Sequence, residues 1–265
     1  MDNEIYEARV GNESFVENFW LNAKREIIDN RKFLLLGLAC ILGLYITTGA
    51  IMGYNGVGSG SSGVVIFTFY MMMFAFVGAS VAFSDMKTKE ERLYSLMVPA
   101  SAFSKYLVKW LLSVPVLFGV LVLAFYIGDI TRILTFLMTA DNPHNYPDYL
   151  HITNPWKIYS MFDITRPALI LTVLLSAYFL AQAPYFFGAI LWPKNSFIKT
   201  FAAMWVIQTV CSILFALSVK YFPSLMYHIG DSLWFMATVF ILLTLAFYVA
   251  GFYLYRRQQV VYKLI

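Results

Sequence analysis

The sequence predicts an all-α polytopic membrane protein with six transmembrane helices. Hydrophobic side chains make up 60% of the 265 residues and charged side chains only 13%. The apolar residues also fall into six long stretches that carry almost no internal charge. Soluble domains are nearer half apolar and a quarter charged. Most classes of soluble enzyme are therefore excluded, and lipid is the expected solvent of this chain.

Each of the six stretches is long enough for the roughly 20 helical residues that one bilayer crossing needs. Helices are expected because every backbone polar group must be paired internally in lipid. The predicted spans cover residues 33–54, 64–83, 106–128, 167–192, 200–222 and 232–255. Residues 1–265 therefore form a single transmembrane domain, with a cytoplasmic arm (1–32), six spans (33–255) and a cytoplasmic tail (256–265).

The distribution of positive charge predicts the orientation of the chain. Of the 19 lysines and arginines, all but Arg132, Lys157, Arg166 and Lys220 lie in or beside the arm, the tail and the loops after the second and fourth spans. The positive-inside rule then places both termini in the cytoplasm. The net charge is +4, but the basic residues form no dense run along the sequence, so no nucleic-acid partner is expected. We expect a cell membrane, specifically a prokaryotic cytoplasmic membrane.

An amphipathic helix is predicted before the first span. Ser14 and Glu17 have the spacing of a capping box. Apolar side chains then recur at helical spacing, at Phe15, Val16, Phe19, Trp20, Ala23 and Ile27, and Asn18, Asn22, Arg25 and Asp29 occupy the other face. This pattern predicts an interfacial helix along the cytoplasmic membrane surface, in contact with lipid. A helix packed on another protein is the alternative.

A short cytoplasmic helix is predicted between the second and third spans, over residues 89–97. Thr88 and Glu91 form a second capping box, and Pro99 disfavours helical geometry just before it. The helix starts with Glu90, Glu91 and Arg92 and continues with the apolar Leu93, Leu96 and Met97. Such a helix can dock in a partner's groove while its charges fix the register. A surface connector that caps the third span explains the pattern equally well.

The segment 129–166 is predicted to be an outer loop, too short to fold as a separate domain. Ile130, Leu134, Leu137 and Met138 suggest a short helix on the outer surface, whereas Pro143, Pro147 and Pro155 oppose regular structure after it. His144, Asp148 and His151 lack the rigid frame of a metal site, so no metal is expected. Cys40 and Cys211 fall inside spans and predict no disulfide.

Most polar residues inside the predicted spans are uncharged. No acidic, basic or histidine side chain falls at the middle of a span, which argues against an ion-coupled carrier. The sequence shows no paired carboxylates and no histidine near a candidate nucleophile, which argues against a membrane enzyme. Met72, Gln182 and Gln208 are the candidates for a substrate path. Small residues at four-residue spacing, such as Gly49 and Gly53, predict close helix contacts within the chain or in a dimer.

The six spans, the amphipathic first helix and the charged helix before Pro99 together resemble the permeases of type-two ATP-binding-cassette exporters. The residues that carry the resemblance are Glu90, Glu91, Arg92, Leu93, Leu96, Pro99, Ala100, Ser101 and Lys105. The Gly-Thr pair often found before the Leu-rich turn in that family is missing. The long outer loop also follows the third span here, whereas many relatives place theirs after the fifth.

This resemblance implies a permease subunit that moves an apolar or amphipathic substrate. Its partners would be a separate ATPase subunit, which binds ATP and Mg, and a second permease, identical or paralogous. The ATPase-coupling residues would be Glu90, Glu91, Arg92, Leu93, Leu96, Met97 and Pro99. The chain has no phosphate loop, so it is expected to bind no cofactor and not to be an enzyme by itself. Export is implied by the resemblance alone. The alternatives are a non-transporting scaffold or assembly protein, and an ion channel or secondary carrier.

Overall fold

The structure is a computed structural model, and it describes residues 15–57, 61–88, 90–91, 100–140, 147–154, 167–221 and 233–261. All regular structure in these ranges is helical. Six helices are long and apolar enough to cross a membrane. The predicted all-α protein with six apolar spans is therefore confirmed, and it fits a multi-pass membrane protein.

Nine α-helices are described. They are α1 (Phe15–Asp29), α2 (Arg31–Tyr54), α3 (Ser61–Val81), α4 (Ala102–Leu111), α5 (Leu117–Thr139), α6 (Pro147–Leu150), α7 (Pro167–Leu191), α8 (Ser196–Tyr221) and α9 (Leu233–Val261). A π-helical turn, Leu112–Val116, joins α4 to α5 without a break, and a 3-10 turn, Ser84–Met86, follows α3. The spans are α2, α3, α4 with α5, α7, α8 and α9.

The third span is longer than expected. It was predicted to end at residue 128, but α5 continues through Asp129 to Thr139. Ile130, Leu134, Leu137 and Met138 lie on this continuous helix, so the prediction of a separate surface helix was wrong. The physical reason is that Asp129 and Arg132 are buried and paired with each other, so they extend the helix where exposed charges would have favoured a loop.

The small residues of α2 allow it to pack closely along α5. A Cβ atom on Gly49 would overlap the carbonyl oxygen of Gly128, and one on Gly53 would overlap the carbonyl oxygen of Arg132. Only glycine permits backbones to approach this closely. The predicted close helix contact at Gly49 and Gly53 is confirmed, and it is made within the chain.

The remaining spans pack around α7, which contacts α3, α8 and α9. The bundle has two ends. We call the end where α2 begins the amino-terminal end, and the end where α5 finishes the opposite end. Most side chains of α8 are exposed in the single chain, so this helix offers the largest surface to lipid or to another protein.

Candidate functional site

The segment that leaves α3 at the amino-terminal end begins with a reciprocal cap. The backbone N–H of Thr88 donates to Glu91 Oε2 over 3.1 Å, and the backbone N–H of Glu91 donates to Thr88 Oγ1 over 3.2 Å. The capping box predicted for these two residues is confirmed. Glu90 and Glu91 are exposed. The other proposed coupling residues, Arg92, Leu93, Leu96, Met97 and Pro99, lie outside the described residues.

The same segment ends at a second cap. Ser101 has an extended backbone, and its Oγ accepts a hydrogen bond from the N–H of Ser104 over 3.1 Å, which starts α4. Serine is among the preferred residues at this position because its oxygen satisfies an unpaired helical N–H. The residues between Thr88 and Ser101 are therefore bounded by a cap on each side.

Lys109 on α4 joins three elements at this end of the bundle. Its Nζ lies 2.8 Å from Asp85 Oδ1, in the turn after α3, and 2.9 Å from Glu26 Oε1, on α1. The lysine side chain is only 4% exposed. One buried ammonium group therefore connects α1, the turn after α3 and the third span.

Burial of a charge is unfavourable unless the charge is paired and hydrogen-bonded. The two carboxylates supply this pairing, and the ring of Phe83 lies 5.6 Å from Nζ, within the range of a cation–π contact. Asn30 Nδ2 also donates to Glu26 Oε1 over 3.0 Å and fixes that carboxylate. The cluster is consequently held in one arrangement by partners on several sides.

An aromatic cluster holds α4 to the spans behind it. The rings of Phe83, Tyr106, Phe186 and Tyr255 pack with centroids 5.2 to 6.3 Å apart. Tyr106 Oη donates to the backbone carbonyl of Tyr248 on α9 over 2.7 Å. A displacement of α4 would therefore be resisted by contacts with both α7 and α9.

A second buried charge cluster lies at the opposite end. Arg132 is 1% exposed, and its Nε donates to Asp129 Oδ1 over 2.7 Å. Its Nη1 donates to the carbonyl oxygen of Tyr149 over 2.9 Å, and its Nη2 donates to that of His151 over 2.8 Å. Asp129 Oδ2 in turn accepts from the N–H of Thr153 over 2.6 Å. Together these bonds hold residues 147–154 against α5.

A small cavity lies beside this cluster, between α2, α3 and α5, with Tyr45, Gly49 and Asp129 among its lining residues. The Tyr45 hydroxyl is buried and has no hydrogen-bond partner among the described residues. The cavity has room for about one water molecule, which could satisfy that hydroxyl. It is too small for an apolar or amphipathic substrate.

No metal centre is found among the described residues, where no group of three or more His, Cys, Asp or Glu side chains could hold an ion. His151 is exposed, and its backbone carbonyl serves Arg132. His144 lies outside the described residues.

The three candidates for a substrate path lie on three different helices, α3, α7 and α8, and differ in burial. Gln182 is fully buried, and its Nε2 donates to the carbonyl of Ser113 over 2.8 Å. Met72 is half-buried beside the packed core of α2, α3 and α5. Gln208 is exposed on α8. None of the three lines the small cavity beside Asp129, and their role in transport stays a prediction.

Helix α1, which was predicted to be interfacial, contacts the bundle through a narrow face. Ala23 is buried and Phe19 is half-buried, while Glu26 turns towards Lys109. Trp20 and Ile27 are exposed, and their contact with lipid stays a prediction. The side chain of Phe15 and the first predicted capping box at Ser14 and Glu17 lie outside what the structure describes.

Neither buried charge cluster was predicted from the sequence. One pattern in the sequence does indicate the first cluster: Lys109 lies within an apolar stretch, and a basic residue there needs a buried partner. The sequence did not identify Glu26 and Asp85 as those partners, since both are far from Lys109 along the chain. Asp129 and Arg132 were attributed to a loop because they follow an apolar run.

Comparison of the chain with protein-family models, with curated proteins and with solved structures found no match.

Proposed function

We propose that this chain is the permease subunit of an ATP-binding-cassette exporter. The complex would contain two permease chains, identical or paralogous, and two ATPase subunits that bind ATP and Mg. The observation that carries the proposal is the reciprocal cap of Thr88 and Glu91 between the second and third spans, where Glu90 and Glu91 are exposed. A capped helix N-terminus with exposed side chains is suited to docking in a groove of another protein.

The amino-terminal end supports a mechanical role for that segment. Asp85 lies three residues before Thr88 and is ion-paired with Lys109 on the third span. The aromatic cluster connects α4 to α7 and α9. Closure of the ATPase pair would displace the docked segment and, through these contacts, shift the spans between inward-facing and outward-facing states. ATP can drive this shift only if it binds one state more tightly than the other.

The surface of α8 supports a second permease chain. Trp205, Val206 and Ile213 are exposed on it, and the polar Gln208 is exposed among them. An amide group in hydrocarbon is unfavourable without a hydrogen-bond partner. A second chain against α8 would supply one, or would let Gln208 face an amphipathic substrate between the two permeases. The proposed substrate path therefore lies at the chain boundary.

We further propose that both termini and the coupling segment face the cytoplasm of a prokaryotic cell. The support is the charge distribution, because the exposed Lys194, Lys199, Arg256 and Arg257 lie at the amino-terminal end, as do Lys24 and Arg31. Positive side chains are retained on the cytoplasmic side of inner membranes.

The first experiment is to extract the tagged chain from its native membrane in mild detergent and to identify bound proteins by mass spectrometry. A stoichiometric ATPase with a phosphate loop supports the proposal. Repeated absence of such an ATPase around an intact, folded chain would favour a scaffold or a channel instead. ATP hydrolysis that responds to substrate separates a transporter from a scaffold, and ion flux without an ATPase would identify a channel.

The second experiment tests the coupling segment itself. The triple variant Glu90→Lys, Glu91→Lys, Arg92→Glu should still insert in the membrane but should lose the ATPase or its coupling. A matched control, Lys194→Glu with Lys199→Glu, reverses exposed charges at the same end and should retain both. Retention of the ATPase and of transport by the triple variant would show that the coupling assignment is wrong.

A further inference from the structure

We propose that Lys109 is a positioning residue that makes the interfacial helix α1 move together with the segment between α3 and α4. The use of this linkage in transport rests on the function proposed above, but the linkage itself does not. The interfacial helix would then be a moving part of the coupling apparatus in addition to a membrane anchor.

The geometry gives Lys109 this role because two separate elements share its single nitrogen. Glu26 belongs to α1 and Asp85 to the turn after α3, and each carboxylate has an oxygen within 2.9 Å of Nζ. The two oxygens therefore lie no more than about 6 Å apart and would repel each other without the ammonium between them. Lys105, also buried, lies one helical turn before Lys109 on α4 and adds positive charge near Asp85.

The linkage follows from burial. If the segment at Thr88 moved while α1 stayed in place, Lys109 would lose one of its two partners, and a buried ammonium would be left partly unpaired. Loss of one partner from a buried ion cluster is strongly unfavourable. Joint movement of α1, the Asp85 turn and α4 avoids this loss. By contrast, the ion pair of Arg25 with Asp29 lies within α1, and the Asp29 side chain is 50% exposed, so this pair does not itself join two elements.

The test uses spin labels on the full chain with Cys40→Ser and Cys211→Ser. A nitroxide at Leu21→Cys reports on the mobility of α1, and one at Glu90→Cys reports on the loop segment; both positions are exposed. Glu26→Gln should remove the immobilised component of the spectrum at position 21, because it breaks the link of α1 to Lys109, and Asp85→Asn should do the same at position 90. The control Asp29→Asn should leave the spectrum at position 90 unchanged.

A triple neutral variant separates positioning from folding. Lys109→Met, Glu26→Gln and Asp85→Asn together neutralise Lys109 and both of its carboxylate partners, so none of these three groups is left as an unpaired buried ion and the fold should be kept. With labels at positions 21 and 90, the wild-type background should give a narrow distance distribution by pulsed electron resonance. The triple variant should give a broad distribution at an unchanged melting temperature.

A narrow distribution in the folded triple variant, or no effect of Glu26→Gln at position 21, would overturn the proposal. The experiment needs no ATPase, so its failure is distinct from that of the proposed function. A bound ATPase without the linkage would refute only the role of Lys109. The linkage in a chain that binds no ATPase would refute only the exporter.

Discussion

Gln182 on α7 donates a hydrogen bond from Nε2 to the carbonyl oxygen of Ser113, 2.8 Å away in the π-helical turn of the third span. Pro115 lies in this turn and has no N–H, so the regular ladder of helical hydrogen bonds is interrupted there. Such interruptions in membrane helices are tolerated where neighbouring groups satisfy the backbone. Gln182, on the adjacent span, supplies the hydrogen bond to the Ser113 carbonyl.

Replacement of Gln182 should therefore destabilise the single chain. We expect Gln182→Met to lower the free energy of unfolding by about 0.6–1.7 kcal/mol, the range for interhelical hydrogen bonds in membranes. The measurement is reversible unfolding in mixed detergent micelles. Gln208→Met is the matched control because Gln208 is exposed. Equal losses in the two variants would contradict the structural role of Gln182.

Gln208 should matter instead for association between chains. Gln208→Leu removes the exposed amide from the apolar surface of α8, and we expect a dimer weaker by about 1–2 kcal/mol with no loss of stability in the single chain. Subunit counting in nanodiscs as a function of protein concentration measures the strength of association between the chains. Unchanged association would exclude Gln208 from the chain boundary.

The contact of α2 with α5 should be sensitive to a single methyl group. Gly49→Ala places a Cβ against the carbonyl of Gly128, whereas Gly43→Ala on the same helix has no atom within 4 Å of the new Cβ. We expect the first substitution to cost about 1–3 kcal/mol by overpacking and the second to have little effect. Thermal unfolding of the two purified variants compares them directly, and similar melting temperatures would rule out this close contact.

Arg132 should control the order of residues 147–154. Arg132→Met leaves Asp129 buried without its ionic partner, and we expect a loss of about 3–5 kcal/mol together with faster proteolysis near His151. Arg257→Met, which removes an exposed arginine, is the control. Asp129→Leu added to Arg132→Met should recover part of the stability but not the protection of the segment. Full protection in the double variant would show that other contacts hold residues 147–154.

Glu91 and Glu90 should differ although both are exposed glutamates in the proposed coupling segment. Glu91 forms the reciprocal cap with Thr88, and glutamine can replace glutamate in such a box. We expect Glu91→Gln to retain ATPase binding and Glu91→Ala to weaken it, because the lost hydrogen bond to the Thr88 N–H costs about 0.5–1.5 kcal/mol of helix stability. Glu90→Ala keeps the cap, so equal losses in Glu90→Ala and Glu91→Ala would assign both residues a direct charge contact instead.

The sequence predicted what depends on local pattern. The spans follow from runs of apolar residues, and the cap at Thr88 and Glu91 follows from a spacing of three residues. The ion cluster could not be predicted, because Lys109 obtains Glu26 and Asp85 only after α1, α3 and α4 have packed together. The extension of α5 beyond residue 128 was missed for the same reason.

The third span carries a fixed cation at each end. Lys109 and Arg132 lie on one continuous helix, separated by a rise of about 34 Å, close to the roughly 30 Å of a bilayer's hydrocarbon core. Neither side chain can snorkel to adjust its depth, since each is buried and bound to several partners. The helix therefore has a set hydrophobic thickness. In a thinner bilayer it must tilt, and in a thicker one the lipid must deform around it.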